Sequence, residues 1–515
     1  MSAQATFTEG SARRPFGAIE TFAACGPLAI ALVVAGGASL GFFMWFSALE
    51  LSAGPGESEL AFVLFVLLGV SSTFVAWYLY GTYFARRAGI SVPAAMRWDA
   101  WSWAALAAFG LGFVVPVHYG TPARATALAI GLFSLIKVLV AARFVHTVRD
   151  VLITFVTTRL PIIVIAELAS IVIAQRPGEH VAESPNPLFA VWGRWDAVHY
   201  LDIAHHGYYG TDMAFFPLYP SLIHVVAMFV GNDLIAGLLL SNVAFFFGLL
   251  FFYKLVEHQY TRAVAHRAIF YISIFPTAVF FSAVYTESLF FCLTVASFYY
   301  IREHKWLTAG VVGALAALTR VEGVLLFVPY AIEVFAAAKA AGFGHFFGHR
   351  RRTARVIAGA LAIPFGLLIY MAVLWVLNGD PLYFSHVQTH WDRKLAWPWV
   401  SVTHAFRLIS HASTTLVVAN EGIEVAFTAL MIGVLIAGFW RLRPSFTAYM
   451  ALSILVPMST ASLMSMPRFA LVLFPMFVML ALWGGRSWVN NTIVAFSLPL
   501  LGLFTVLFAD WYWVA

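Results

Sequence analysis

Charge is scarce in this sequence: 10% of its 515 residues are Asp, Glu, Lys or Arg, against 62% hydrophobic. An ordinary soluble enzyme needs far more charge to cover its surface, so that class is excluded. Cysteine is rarer still. The two present, Cys25 and Cys292, lie in apolar stretches, so neither a disulfide framework nor a cysteine metal site is indicated. The apolar runs are continuous and do not alternate with polar residues, which excludes an outer-membrane barrel. No glycine-rich phosphate loop precedes a helix, leaving a cytoplasmic ATPase or dinucleotide-binding module unsupported. A cleaved signal peptide is not expected either, because "ARRP" leads into roughly 25 apolar residues, beyond the usual h-region.

What is abundant is membrane-spanning sequence. Runs such as "LAFVLFVLLGVSSTFVAWYLYGTYF" (60–84) are long enough to cross a bilayer as helices, and the mean hydropathy is +0.86. The expectation is an all-α polytopic membrane protein. Net charge is +6, but the basic residues are scattered through short loops such as "GHRRRTAR" and "WRLRP", which read as positive-inside signals and give no case for nucleic acid. Crossings are expected near 24–48, 60–84, 100–117, 125–145 and 151–174. The apolar segment 214–230 is short and carries two prolines. Laid along the outer interface, it keeps every large basic loop on the cytoplasmic side. Further crossings then follow near 233–254, 268–283, 285–301, 306–319, 323–340, 356–377, 421–440, 446–463, 469–484 and 490–508. That makes about 15 transmembrane helices by the positive-inside count. Residues 1–150 form an N-terminal four-helix module of unassigned role, and 151–515 a second domain with external loops at 175–232 and 378–420.

The first of those loops contains "GRWDAVHYLDIAHHGYYG" (193–210), an unusual density of titratable groups. A shorter echo, "RWDAW" (97–101), falls in a cytoplasmic loop and reads as a coincidental helix start. As a helix ended by Gly207, the larger cluster places Asp196 and His199 one turn apart. An aspartate beside apolar surface suits a general base, with partial desolvation raising its pKa. The same residues also suit a capping and anchoring helix. A zinc site from Asp196, His199, His205 and His206 matches no standard ligand spacing.

Other charged residues fall at expected external helix ends. Arg320 and Arg468 are candidates for binding a phosphate, or they snorkel and pair locally, Arg320 with Glu322 for example. Glu287 could orient an acceptor or cap the helix that begins there. In the loop 378–420, "HVQTHWDRK" supplies His390, Arg393 and Lys394, as a substrate-closing loop or as a solvated charged face. Arg159 and Glu167 lie within the fifth helix, where a buried pair or a link to the substrate cavity would explain their cost. Phe215, Phe216, Pro217 and Tyr219 read as shaping the interfacial helix.

Taken together, "RWDAVHYLDIAHHGY" followed by "AFFPLYP", "FPTAVFFSAVYTESLF" (275–290) and "ALTRVEGVLL" (317–326) resemble the PIG-V family, the GPI mannosyltransferase II type and its prokaryotic relatives. "PRFALVLFP" (467–475) is similar to the late Arg-aromatic segment of related GT-C transferases. The resemblance covers about residues 150–510. It implies a GT-C glycosyltransferase fold and a polyprenyl-phosphate-sugar-dependent hexosyltransferase of the plasma membrane, active on the extracytoplasmic side. Sugar, usually mannose, would pass with inversion from a polyprenyl-phosphate donor to a lipid-linked or glycolipid acceptor. Asp196 matches the family's loop aspartate, the general base, with His199 and Glu287 supporting it and Arg320 and Arg468 on the donor phosphate. No cofactor is firmly implied, and a divalent metal is left open. The competing expectation is a polytopic lipid or sugar transporter or flippase, which also explains many helices and a few rim charges.

Overall fold

In the computed structural model the chain divides between Arg149 and Asp150 into two units. The structure describes residues 146–174, 176, 189–391, 393–512 and 514, together with Thr82 and Ser91. The four expected N-terminal crossings and the echo around Asp99 lie outside these residues. Among the described residues the secondary structure is helical, apart from one isolated bridge between Leu395 and Thr460.

The elements run α1 (His146–Val172), α2 (Ala197–His206), α3 (Leu218–Val230), α4 (Asp233–Gln259), α5 (Arg262–Ser273), α6 (Glu287–Arg302) and α7 (Trp306–Ala317). Then come α8 (Phe327–Ala341), α9 (Phe343–Phe347), α10 (Arg350–Asn378), α11 (Tyr383–His386), α12 (Pro398–Ser410) and α13 (Thr415–Gly438). The chain finishes through α14 (Pro444–Met458), α15 (Met466–Val472), α16 (Phe474–Trp483) and α17 (Ser487–Ala509). Six helices among the described residues are long and apolar enough to cross a membrane, or seven if α15 and α16, bent by 77°, form one span.

Several expected crossings are broken or short, for identifiable reasons. The run expected over 268–283 stops at Ser273, because Pro276 cannot continue a helix, and resumes as a 3-10 turn at Ala278–Phe281. Pro475 likewise enforces the break between α15 and α16. The 12 residues of α7 rise only about 18 Å and the 13 of α3 about 20 Å, short of a hydrocarbon core of about 30 Å.

The spans turn the soluble pattern inside out. Ile357, Leu361, Phe365 and Leu368 form an exposed apolar stripe along α10, suited to lipid contact. Its opposite face buries Gly359, Ile363, Gly366 and Tyr370. That face packs on α7 at backbone contact: a Cβ on Gly310 would lie 2.1 Å from the Gly359 carbonyl oxygen, and one on Gly366 2.3 Å from that of Ala314. Lipid tails are as apolar as the side chains, so close van der Waals packing of small residues does the work of holding such helices together. The buried α6 packs on α4 and α7 and forms the middle of the core.

Candidate active site

Three short irregular stretches bring the charged residues together. Trp195 adopts left-handed backbone (φ 59°), so the chain turns sharply and Asp196 becomes the residue that opens α2. The backbone N–H of Asp196 donates to the Tyr285 hydroxyl at 3.2 Å, and that hydroxyl donates to the Arg194 carbonyl at 3.2 Å. Tyr285 thus ties this turn to the segment before α6, whose first residue is Glu287. The third stretch begins at Ser465, also left-handed (φ 76°), and puts Arg468 in the first turn of α15. The Glu424 carboxylate holds that turn, accepting from the backbone N–H groups of Ser465 and Met466 at 2.9 and 2.8 Å.

Arg468 is the hub. Its Nη1 donates to Asp196 Oδ2 at 2.7 Å, while Nη2 and Nε donate to Glu287 Oε1 at 2.9 and 3.1 Å. Arg320 Nη1 reaches the same Glu287 oxygen at 2.9 Å, and its Nε lies 3.6 Å from Glu322. The pairing of Arg320 with Glu322 anticipated as a local alternative is therefore present, alongside the contact to Glu287. Aromatic faces complete the lining: Phe280 and Tyr285 lie against Arg468, and Phe290 and Phe469 against Arg320. Guanidinium groups stack on such faces because the ring quadrupole attracts the cation.

Exposure grades across the cluster. Glu287 is fully buried (0%) and Arg468 nearly so (8%), whereas the Asp196 carboxylate keeps 26% of its surface open. Glu287 is the internal counter-charge, and Asp196 is the carboxylate left partly open at the surface. The sequence reading expected desolvation to raise the Asp196 pKa, and this is corrected. Burial does push it up, but the Arg468 charge and hydrogen bond outweigh that, so the carboxyl sits below its usual range. His199 and Arg393 add to the same downward pull.

His199 does not bond Asp196. Its Nδ1 meets Asp212 Oδ1 at 2.7 Å, its ring stacks on Phe215 at 4.6 Å, and the Trp391 edge closes on it. Asp212, itself buried, was missed in the sequence. The signal available was an acid 13 residues beyond His199, between a glycine turn and the "AFFP" aromatics. Tyr285 and Glu424 were missed too, since a lone tyrosine or a glutamate inside an apolar run gives no local sign of its partner.

Among the described residues, the loop 378–420 contributes one charged side chain to the cluster. Arg393 acts on Asp196 electrostatically and donates to the Met464 carbonyl at 3.3 Å, beside the turn that carries Arg468. His390 and Lys394 are exposed, with the His390 ring against Trp391. His205 pairs with Asp233 and His206 with Asp202, so the two do not converge on Asp196. Among the described residues no group of three His, Cys, Asp or Glu side chains could hold a metal ion. Arg159 and Glu167 do not pair with each other. Arg159 donates to the carbonyls of Ala278 and Ser273, bracing the turn before α6, and Glu167 accepts from the Trp192 indole at 2.9 Å.

Apolar spans carrying a half-open carboxylate beside buried guanidinium groups define an integral membrane protein with an ionic site at helix ends. The family model described as mannosyltransferase (PIG-V) matches residues 133–338, a segment containing Asp196, His199, Glu287 and Arg320. The match begins earlier than the quoted motifs and stops before Arg468, and nothing in it supports a transporter. No curated protein matches the chain. A solved structure, the Archaeoglobus fulgidus oligosaccharyltransferase complexed with zinc and sulfate, is similar at 15% identity and a TM-score of 0.31, over 68% of this chain and 52% of that one. The chain thus spans about half of that protein's length.

Proposed function

We propose that the chain is an inverting mannosyltransferase of GT-C type that moves a sugar from a polyprenyl-phosphate donor to a lipid-linked acceptor on the extracytoplasmic face. The observation that carries this reading is the 2.7 Å pair between Asp196 and Arg468. One group can take a proton and the other can bind a phosphate, side by side at a partly open surface.

Asp196 accepts the proton of an acceptor hydroxyl as that oxygen attacks C1 of the sugar. The C1–O bond to the lipid phosphate breaks, and its electron pair leaves with the phosphate. A phosphate is a good leaving group, so cationic groups are needed more than a strong acid, and Arg468 and Arg320 supply them. Arg393, and with it His390 and Lys394, borders the donor head group from the second loop. The helix α3 lies along the outer interface, and α2 beside it presents Asp196 to the bilayer surface.

The test is sugar transfer from polyprenyl-phosphate-mannose in lipid nanodiscs. Asp196→Asn is expected to lower the rate by about 10²- to 10⁴-fold, the range for loss of a general base. Near-full transfer by that variant sinks the assignment of the base. Absence of transfer by the unaltered chain with any polyprenyl-phosphate sugar sinks the donor class.

A further inference from the structure

A cavity of about 1080 Å³ lies away from this cluster. It is walled by the start of α7, the end of α8, the short α9 and the start of α10. Arg320 follows the far end of α7 and precedes α8, so this cavity and the active-site cluster sit at opposite ends of the same two helices. If the cluster faces outward, the cavity faces the cytoplasmic leaflet.

The lining is strongly one-signed. Lys305, Arg351, Arg352 and Arg355 contribute cations, and no Asp or Glu lines the cavity. Among the described residues, the three arginines have no carboxylate within salt-bridge distance. Lys305 meets Glu303 only at 3.9 Å. Trp306 and Phe346, both buried, form an aromatic floor, with the Arg352 guanidinium 5.7 Å from the Phe346 ring. The first turn of α10 also points its partial positive charge here. Lys305, Arg351 and Arg355 are exposed, so water screens part of their mutual repulsion, and an anion shared among them would relieve the rest.

We propose that this cavity binds the phosphate ester headgroup of an anionic membrane lipid. A free phosphate would satisfy the same cations, but the surroundings favour a lipid. From the rim, the exposed apolar stripe Ile357, Leu361, Phe365 and Leu368 runs down α10, and Leu307 lies exposed at the start of α7. That arrangement gives acyl chains a continuous apolar path from a headgroup held at the basic end. Basic pockets between helices are where anionic lipid headgroups are recognised.

The full chain, purified in detergent, would be titrated by native mass spectrometry with dioctanoyl phosphatidylglycerol, dioctanoyl phosphatidylcholine and inorganic phosphate. The expected result is saturable binding of the phosphatidylglycerol, at least tenfold tighter than the phosphatidylcholine. Inorganic phosphate should displace it only in large excess. Arg351→Gln combined with Arg355→Gln should weaken binding at least tenfold while the protein still elutes as a single species. If that double variant does not fold, Lys305→Gln alone decides, with a several-fold loss expected. Equal binding of the two lipids, or unchanged affinity in the variants, overturns the proposal. Displacement by phosphate at matched concentration also overturns it, in favour of a free-anion site. None of these readouts depends on sugar transfer.

Discussion

Arg468 and Asp196 are 272 residues apart in the chain and 2.7 Å apart in the fold, and the same guanidinium also bonds Glu287. Because Asp196 is ionised but charge-paired, it is a weak base as it stands. On the proposed function, a donor phosphate drawn to Arg468 would compete with the carboxylate for the same N–H groups. Were it to win, Asp196 would lose the partner that lowers its pKa and become more basic as the acceptor arrives. The proposed function thereby links donor binding and base strength through one side chain.

The pH profile tests this link. The Asp196 carboxyl lies below its usual range because Arg468 outweighs burial. A depressed pKa means the basic form persists above the ordinary carboxylate value and is lost only as pH falls through the lowered one. Transfer measured as kcat/KM should therefore stay flat from neutrality through the ordinary carboxylate range, with any acid limb from this group below that range. In Arg468→Gln the main opposition to burial is gone, with His199 and Arg393 still pulling down, so the acid limb should move to higher pH. An acid limb at the same pH in both proteins would show that Asp196 does not control the rate.

Donor affinity should separate the two arginines. Arg468 touches both Asp196 and Glu287, whereas Arg320 is held by Glu287 and Glu322. Arg468→Ala is expected to weaken binding of a polyprenyl-phosphate sugar by about tenfold or more, the size of a charge-assisted hydrogen bond to phosphate, with a smaller loss in Arg320→Ala. Unchanged affinity in both would sink the phosphate assignment.

The His199–Asp212 pair should behave as one unit. Asp212 fixes which His199 nitrogen points at the neighbouring space, since the other is bonded to it at 2.7 Å. Asp212→Asn and His199→Ala should each lower kcat, and the double variant should be no worse than His199→Ala. A double-mutant cycle reads the coupling, expected at about 0.5–3 kcal/mol for residues in contact. Strict additivity would show that Asp212 acts elsewhere.

The sequence made the helical membrane class legible, because long apolar runs admit few alternatives. It also showed the residues that converge, since Asp196, Glu287, Arg320 and Arg468 each stand out as charges in apolar surroundings. What it hid were contacts between distant segments. Nothing near His199 indicates that Asp212 will outcompete Asp196 for it. Nothing near Asp196 indicates that Arg468 will reverse its pKa shift. Breaks within expected spans were hidden for a similar reason: Pro276 and Pro475 stand in apolar runs whose composition alone reads as continuous helix, and the short α7 is stabilised by glycine contacts with α10.

Glu287 joins the two arginines of the cluster. One of its oxygens accepts from both Arg468 and Arg320, and its side chain is fully buried. Removing it leaves two guanidinium groups with less counter-charge in a region of low dielectric. Losing one partner of a buried pair typically costs about 3–5 kcal/mol, since the remaining charge is left uncompensated. Here Arg468 keeps Asp196 and Arg320 keeps Glu322, so Glu287→Ala should fall at the low end of that range. Glu287→Gln should cost less than Glu287→Ala, because the amide oxygen still accepts hydrogen bonds. Thermal unfolding of the three proteins in one detergent provides the comparison. Equal midpoints for Glu287→Ala and the unaltered chain would show that the arginines find other partners and that Glu287 is not their anchor.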